Sequence, residues 1–347
     1  MAAQSTDQVP LLLAAMDAAR ERAPEAHPPG IVRTYDFLDE DRAFAGAVLE
    51  GLSRPAKSLP WQALFDANGL RLFERVCAQP EYLAARTEKA VIAANVGEIV
   101  EFVGGNCQFI DTGKHGAASS RMLIEHLRPS VYVPLDASMA TLQDGRNLFA
   151  GLFPWLNICA LHGDFEQPLH LPRFVGVPIR FKAVGLLGGA FARFTPQEVP
   201  ALLGRLRALA GPAGRVLVTV DQTADWQILQ GAYNDQRGAM EAFNANALRH
   251  INQACQGNFQ IPRFQHVANF EPATGMLEMA LESRYVQFAR VAGRRIDFAA
   301  GQRIRTAVHC TYDAEQFRAL AQKAGLRVEK SWSDTHNLLS VHAMIAQ

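Results

Sequence analysis

Residues 107–138 read CQFIDTGKHGAASSRMLIEHLRPSVYVPLDAS. A short apolar run ends in Asp111, a glycine-containing loop follows, and residues 117–127 have the apolar spacing of a helix. A second apolar run then closes at Asp136. The stretch therefore predicts a strand, a glycine turn, a helix and a second strand with an acid at its end.

In a doubly wound sheet this arrangement presents backbone N–H groups at the start of the helix and a carboxylate to a pair of ribose hydroxyls. The loop holds only Gly113 and Gly116, so it lacks the glycines that let a backbone close on a pyrophosphate. S-adenosylmethionine (SAM) has no phosphate and fits this loop better than NAD does. The alternative is that both glycines merely turn the chain.

The composition limits the kinds of partner. A chain of 347 residues is long for one core and predicts two lobes or a large insertion. Lys plus Arg and Asp plus Glu both number 34, so no strong field favours nucleic acid or a membrane, and a small-molecule substrate is expected. The five cysteines form no C-x-x-C pair, which argues against a zinc site and a disulfide framework. The N-terminus lacks the basic region of a signal peptide, so we expect a cytoplasmic protein. We also expect either a monomer or a homodimer.

Strand and helix patterns alternate on both sides of the opening stretch. Thr87 is expected to cap a helix that runs to residue 105, with Glu88 in its first turn. After Asp136 the alternation continues to Asp221, which predicts a parallel sheet with right-handed crossovers. The acid after the third of these strands, Asp164, is a candidate contact for an adenine amino group, or else an ordinary turn aspartate.

The alternation stops after residue 222. Residues 232–255 have the pattern of one long helix, and residues 263–291 contain two alternating runs typical of antiparallel strands. This change in pattern predicts that residues 223–312 form a second lobe. The N-terminal 80 residues are expected to contribute to the same lobe.

Several stretches resemble one family, the SAM-dependent histidine Nα-methyltransferases of ergothioneine biosynthesis and related enzymes that form amino-acid betaines. The resemblance covers nearly the whole chain after about residue 50. Its most specific part is LFDANGLRLFERVCAQPEYLAARTE at 64–88, because a generic Rossmann protein does not need it. The other matching stretches are YVPLDAS at 132–138, HGDF at 162–165, AYND at 232–235, FNANALRHIN at 243–252, MLEMAL at 276–281, GQRIRTAVHCTY at 301–312 and KSWSD at 330–334.

The resemblance implies an α/β fold with a class I methyltransferase (Rossmann-like) domain and a second α+β substrate lobe. The SAM-binding domain is expected at 87–222 and 313–347, the substrate lobe at 30–86 and 223–312, and an N-terminal extension at 1–29. SAM is the implied cosubstrate, and no metal is implied. These boundaries follow from the family rather than from the residue patterns alone.

The resemblance also assigns residues. Tyr233 matches a tyrosine that grips the substrate carboxylate, and Tyr82 matches a tyrosine of the substrate pocket, so both are candidates for positioning the reactants. The expected SAM contacts are Asp111, Gly113, Gly116, Asp136, Asp164, Phe165 and Gly188. The expected substrate contacts are Phe65, Tyr82, Arg193, Tyr233 and His309.

Four departures from the family pattern affect the substrate pocket and the glycine loop. The loop reads GKHG, Arg193 stands where the family has an asparagine that holds the amino acid, and Phe65 replaces a tyrosine. The T-E-x-S motif that holds an imidazole reads TAVH, so Ala307 replaces the glutamate. A carboxylate holding an imidazole N–H is worth roughly 1.5–3 kcal/mol, and alanine supplies none of it. We therefore expect histidine to be a poor substrate for this chain.

Three functions remain open from the sequence. The first is N-methylation of a small amino acid or amino-acid-like metabolite other than histidine. The second is cyclisation of SAM itself to azetidine-2-carboxylate and methylthioadenosine. The third is a non-catalytic binding subunit, motivated by the altered glycine loop. His309 and Arg193 are specificity elements if they face the pocket, and otherwise a structural histidine and a solvent-exposed arginine.

Overall fold

The computed structural model describes residues 30–347 apart from 39, 114–117, 168, 170, 173, 175 and 272, and it describes only the backbone of 40–42. The helices are α1 Glu40–Ser53, α2 Ala67–Cys77, α3 Ala84–Val103, α4 Ala118–Leu127, α5 Met139–Leu152, α6 Val199–Ala210, α7 Trp226–Tyr233, α8 Ala239–Ala254 and α9 Ala314–Lys323. Short 3-10 turns lie at Trp61–Leu64, Ala190–Arg193 and Ile261–Arg263. None of the helices described is long and apolar enough to cross a membrane.

The strands are β1 Val32–Asp36, β2 Lys57–Ser58, β3 Cys107–Asp111, β4 Val131–Asp136, β5 Ile158–His162, β6 Phe181–Leu186, β7 Arg215–Asp221, β8 Phe264–Glu271, β9 Met276–Ser283, β10 Gln287–Val291, β11 Arg294–Phe298, β12 Arg303–Cys310, β13 Leu326–Ser333 and β14 Leu339–Ala346. They form an eight-stranded sheet, a four-stranded sheet and a two-stranded hairpin.

The large sheet has the order β1-β5-β4-β3-β6-β7-β14-β13. The strands from β1 to β7 pair in parallel, whereas β14 runs antiparallel to both β7 and β13. A reversed strand inserted beside β7 is the arrangement of a class I methyltransferase sheet, which confirms the predicted fold. Strands β3 and β5 are buried at every residue, as expected for parallel strands covered on both faces.

The direction of the chain across this sheet places the ligand site. From β3 the chain moves through β4 to β5 on one side, and then returns through β6 to β7 on the other. The strand order therefore reverses between β3 and β6. In open α/β sheets, ligands bind outside the carboxyl ends of the strands at such a point.

One strand lies elsewhere than the sequence predicts. β1 falls in the segment 30–86 assigned to the substrate lobe, yet it pairs in parallel with β5, with Asp36 opposite His162. Oδ1 of Asp36 lies 2.7 Å from Nδ1 of His162 and ties the two strand ends together. The strand is largely exposed and has no apolar alternation, so its sequence carries no sign of the pairing.

The second lobe contains the sheet β2-β12-β9-β8, the hairpin β10–β11, and helices α2 and α8. Its hydrophobic core is separate from the two cores that cover the large sheet. Residues of both segments, 30–86 and 223–312, share this core, including Leu64, Val76, Phe243, Leu248 and Met279.

Two helix predictions need correction. Helix α3 begins at Ala84 with Leu83 at its N-cap, so Thr87 is not a cap; its N–H donates to the carbonyl of Leu83 inside the first turn. The predicted helix at 232–255 is two helices, because the carboxylate of Asp235 accepts from the backbone N–H groups of residues 239 and 240 and starts α8 anew. Glu88 lies on the face of α3 that packs into the interior, where it is 3% exposed.

Candidate active site

A deep cleft lies at the carboxyl ends of the parallel strands, beneath the second lobe. It holds about 1370 Å³ with its solvent-open mouth included. The sheet contributes residues that directly end or follow its strands, and the second lobe contributes mainly aromatic and apolar residues. The lining residues include Gly113, Asp136, Asp164, Phe165, Gly188 and Asp221 from the sheet, and Trp61, Phe65, Phe73, Tyr82, Tyr233, Phe243, Ala307 and His309 from the lobe.

Two of the predicted SAM contacts end neighbouring strands at one end of the cleft. Asp136 ends β4, and its Oδ1 accepts from the N–H of Ser138 at 2.8 Å. Asp164 follows β5, and its Oδ1 accepts from the N–H of Glu166 at 2.8 Å, while the ring of Phe165 is buried beside it. Both carboxylates therefore shape a turn and also line the cleft.

Asp111 does not line the cleft, although it is predicted to contact SAM. It is fully buried; one carboxylate oxygen accepts from the hydroxyl of Tyr132 at 2.9 Å, and the other from the N–H of Gly113 at 3.1 Å. Gly113 does line the cleft, and a Cβ there would lie 2.5 Å from the carbonyl oxygen of Leu187. Asp111 thus supports the start of the glycine loop. Gly116 lies outside the described residues.

A buried glutamate beneath the cleft is missed by the sequence prediction. The two carboxylate oxygens of Glu88 lie 2.9 and 3.1 Å from the N–H of Gly188, and one also accepts from the hydroxyl of Thr219 at 3.2 Å. Burial raises the pKa of Glu88 above its ordinary value, although these hydrogen bonds oppose that change. Because Gly188 lines the cleft, Glu88 positions this part of the wall. Its place inside a helical pattern gave no sequence signal.

Arg193 lines the cleft, but its guanidinium already has partners. It lies 3.0 Å from a carboxylate oxygen of Glu166 and stacks over the rings of Trp61 at 4.5 Å and Phe194 at 4.4 Å. Burial is the main cause that lowers its pKa, which the charge of Glu166 opposes. The guanidinium thus sits beside Asp164 and its neighbours. It is not free in the part of the cleft lined by the second lobe, called the acceptor end below because a methyl acceptor would bind there.

Aromatic rings form the wall that the second lobe contributes. Phe65 packs edge-on against Phe73 at 5.5 Å and against Phe243 at 5.3 Å between ring centroids. Tyr82 packs edge-on against Phe73 at 5.9 Å, and burial raises its pKa well above the ordinary value, so its hydroxyl keeps its proton. Ala307 is half-buried against the same core. This end of the cleft is suited to an apolar or aromatic group.

His309 faces the cleft and meets two residues from distant parts of the chain. Its Nδ1 lies 2.8 Å from the hydroxyl oxygen of Tyr233, and its Nε2 lies 3.0 Å from Oδ2 of Asp221. The structure thus brings together two predicted site residues and adds Asp221, which the sequence prediction left unassigned. The sequence signal that could have identified Asp221 is its position at the end of a strand, the same position that Asp136 has.

The walls are compatible with the groups of SAM. Carboxylates at the ends of adjacent strands suit hydroxyl and amino donors, and the buried ring of Phe165 offers a flat apolar surface to a base. Among the described residues there is no group of three or more His, Cys, Asp or Glu side chains that could hold a metal ion.

Comparison with known proteins agrees with this geometry. A family model described as histidine-specific, SAM-dependent methyltransferase matches residues 44–346. The chain belongs to this family. It is therefore a SAM-dependent methyltransferase with SAM as cosubstrate, which supports the predicted enzyme over a binding subunit.

Three relatives illustrate the range of the family. The histidine N-alpha-methyltransferase of Mycolicibacterium smegmatis is 31% identical over 83% of this chain and 90% of its own length. That of Mycobacterium tuberculosis is 29% identical over 87% of this chain and 96% of its own length. The 4-dimethylallyltryptophan N-methyltransferase of Penicillium roqueforti is 24% identical over 82% of this chain and 88% of its own length.

Proposed function

We propose that this methyltransferase transfers a methyl group to the amine of an amino acid whose side chain is apolar or aromatic, and not to histidine. The observation that carries the proposal is Ala307, which lies in the aromatic wall where the family resemblance places a carboxylate for imidazole. The substrate side chain would then contact Phe65, Phe73 and Phe243.

Magnitudes support an aromatic side chain over imidazole. An aromatic side chain buries roughly 150–250 Å², which at about 25 cal/mol per Å² is worth about 4–6 kcal/mol. An imidazole buries a smaller and more polar ring, and without a carboxylate at position 307 it also loses a charge-assisted hydrogen bond worth about 1.5–3 kcal/mol. The name of the Penicillium roqueforti relative indicates that a related chain accepts a tryptophan carrying an added apolar group.

The reaction is an in-line displacement at the methyl carbon of a sulfonium. The amine nitrogen forms a bond to that carbon while the carbon–sulfur bond breaks, which yields S-adenosylhomocysteine and a methylated ammonium. Asp136 and Asp164 would hold the nucleoside, Tyr233 and Tyr82 would orient the amino acid, and the aromatic wall would exclude water. Alignment and desolvation supply most of the rate in such a step.

The test is a panel of L-amino acids incubated with purified protein and SAM, followed by mass spectrometry of both products. We expect methylated products and S-adenosylhomocysteine with aromatic and large apolar amino acids, and the lowest kcat/KM with histidine. Histidine as the preferred substrate would refute the proposal.

A gain-of-function variant tests the same idea in the opposite direction. Ala307→Glu combined with His309→Ser rebuilds the imidazole-holding motif, and about 1.5–3 kcal/mol corresponds to a kcat/KM for histidine about 10- to 150-fold above that of the single variant His309→Ser. The single variant His309→Ser is the matched control, because it removes the imidazole without adding the carboxylate. An equal response of both variants to histidine would show that position 307 does not select the substrate.

A second candidate is cyclisation of SAM. One observation favours it: the guanidinium of Arg193 is paired with Glu166, and Ala307 offers no polar group, so two family positions that hold a separate amino acid do not do so here. The amine of SAM would lose a proton and attack its own γ-carbon as the carbon–sulfur bond breaks, giving azetidine-2-carboxylate and methylthioadenosine. Methylthioadenosine formed from SAM alone would replace the methylation proposal with this one.

A further inference from the structure

Three side chains form a hydrogen-bonded chain at the acceptor end of the cleft. Tyr233 comes from α7, His309 from β12 and Asp221 from the end of β7. The hydroxyl oxygen of Tyr233 is 2.8 Å from Nδ1 of His309, and Nε2 of His309 is 3.0 Å from Oδ2 of Asp221. The other oxygen of Asp221 accepts from the N–H of Thr223 at 2.9 Å, which fixes the carboxylate. All three members of the chain line the cleft.

The partners decide where the hydrogen atoms lie. An ionised carboxylate has no hydrogen to donate, so Nε2 of His309 carries one and donates it to Asp221. In the neutral ring Nδ1 is then the acceptor, and the hydroxyl of Tyr233 donates to it. The oxygen of Tyr233 keeps lone pairs for a donor in the cleft, but its one hydrogen is used, so it meets an amine rather than the carboxylate that the family resemblance assigns to it. A protonated amine is such a donor.

We propose that Asp221, His309 and Tyr233 form a proton relay that removes one proton from the acceptor ammonium before methyl transfer. The ammonium N–H bond breaks as an O–H bond forms on Tyr233, whose original proton passes to Nδ1 of His309. The positive charge moves from the ammonium to the imidazolium, which Asp221 stabilises. The amine lone pair so released attacks the methyl carbon. This inference rests on the proposed methylation of an amino acid.

The electrostatics suit a relay in which Tyr233 conducts a proton and is never left as an anion. Burial, and then the charges of Asp221 and Cys310, raise the pKa of Tyr233 above its ordinary value. Burial alone would raise the pKa of Asp221, but the charge and hydrogen bond of His309, together with Thr223, lower it overall and keep the carboxylate ionised.

The ionisable groups around His309 come from several elements of the fold. Its strand partner on β9 is Leu277, which carries no charge. Ionisable side chains on the neighbouring elements include Asp221 of β7, Tyr233 of α7, Cys310 of β12, Tyr82 before α3, Glu278 of β9, whose strand partner is Val308, and Arg193 of the adjacent 3-10 turn, which is paired with Glu166. Asp221 is therefore the negative partner of the ring.

The kinetic test compares the pH profiles of kcat for the wild type and His309→Gln, using an amino acid that the panel shows to be methylated. An α-ammonium is mostly protonated at pH 7, so His309→Gln is expected to lose about 10²-fold or more there. Its rate should recover towards wild type at high pH, where the amine is already neutral in solution. A loss of the same size at every pH would overturn the relay and leave His309 a structural role.

His266→Gln is the matched control. Nε2 of His266 lies 2.8 Å from the backbone carbonyl oxygen of Tyr233, so this variant perturbs the same helix end without touching the relay. It is expected to keep the wild-type shape of the pH profile. Calorimetry with SAM and thermal melting verify that each variant folds. If His266→Gln shows the same pH-dependent recovery as His309→Gln, the recovery does not report the relay.

A measurement without turnover separates the relay from the proposed function. Failure to methylate any amino acid refutes the proposed function, and ¹⁵N NMR of histidine-labelled protein with SAM separately tests the hydrogen-bond arrangement that the relay requires. The resonances of His309 are assigned by their loss in His309→Gln. A ring with hydrogen on Nε2 and none on Nδ1 supports the relay, whereas hydrogen on Nδ1 in the neutral ring overturns it.

Discussion

Replacing Glu88 by alanine should loosen one wall of the SAM cleft and destabilise the protein. Glu88 is 3% exposed, and its carboxylate accepts from the N–H of Gly188 at 2.9 Å and from the hydroxyl of Thr219 at 3.2 Å. In Glu88→Ala both donors lose this acceptor inside the protein. A buried donor without a partner costs about 1–3 kcal/mol, so two cost about 2–6 kcal/mol.

Glu88→Gln provides an intermediate step. Its amide retains one acceptor oxygen, so the expected loss is about 1–3 kcal/mol. Because burial raises the pKa of Glu88 in the folded state, the wild type gains stability from the protonated group below about pH 4.5, and this gain is lost as the pH rises through the folded pKa. The amide does not titrate. The stability gap between wild type and Glu88→Gln should therefore be wider at pH 4 than at pH 8.

Urea denaturation followed by circular dichroism measures the free energy of unfolding, and calorimetry measures SAM affinity. Glu101→Ala is the control, since Glu101 is an exposed glutamate on the same helix, where a change of about 0.5 kcal/mol or less is expected. SAM affinity should fall in Glu88→Ala and stay unchanged in Glu101→Ala. Equal unfolding midpoints for the two alanine variants would refute the role of Glu88.

Two further predictions concern the glycine loop and β1. Gly113→Ala places a Cβ 2.5 Å from the carbonyl oxygen of Leu187, so unfolding in urea should show a loss of about 1–3 kcal/mol and calorimetry a weaker affinity for SAM. The exposed helical Gly97 has open space at its Cβ, so Gly97→Ala should instead gain about 0.5–1 kcal/mol, and a loss there would contradict the steric argument. The hydrogen bond from His162 lowers the pKa of Asp36 in the folded protein. The ionised carboxylate of Asp36 therefore stabilises the fold above the ordinary carboxyl pKa, and this stability is lost as the pH falls through the lowered pKa of the folded state. In urea denaturation, Asp36→Asn should therefore have a lower free energy of unfolding than the wild type at pH 6, and the same free energy at a pH below the folded-state pKa of Asp36. A difference in the free energy of unfolding that does not depend on pH would refute this.

The large sheet and the cosubstrate end of the site could be predicted from local patterns. A parallel strand covered on both faces is a continuous apolar run, and the residue that follows it must lie at the carboxyl edge. Asp136 and Asp164 end such runs, so their presence in the cleft follows from position alone. Gly113 belongs to the same pattern, because the chain must turn tightly between β3 and the next helix.

The departures at Ala307 and His309 were also visible in the sequence, but only through resemblance to a family. Alternation within β12 could not decide whether His309 faces the cleft, because a shift of one residue reverses every side chain of a strand. The structure resolves this, since His309 contacts both Tyr233 and Asp221.

The sequence by itself determined the parallel sheet and the carboxylates at its edge, and its resemblance to a family showed the loss of the imidazole-holding glutamate. Only the tertiary structure decided that Glu88 supports Gly188 and that β1 joins β5. It also brought His309 to Asp221, 88 positions away in the sequence, and to Tyr233, 76 positions away. The physical reason is range. Apolar periodicity reports neighbours within a few residues, whereas a hydrogen bond between distant side chains exists only once the packing of two lobes has brought them together.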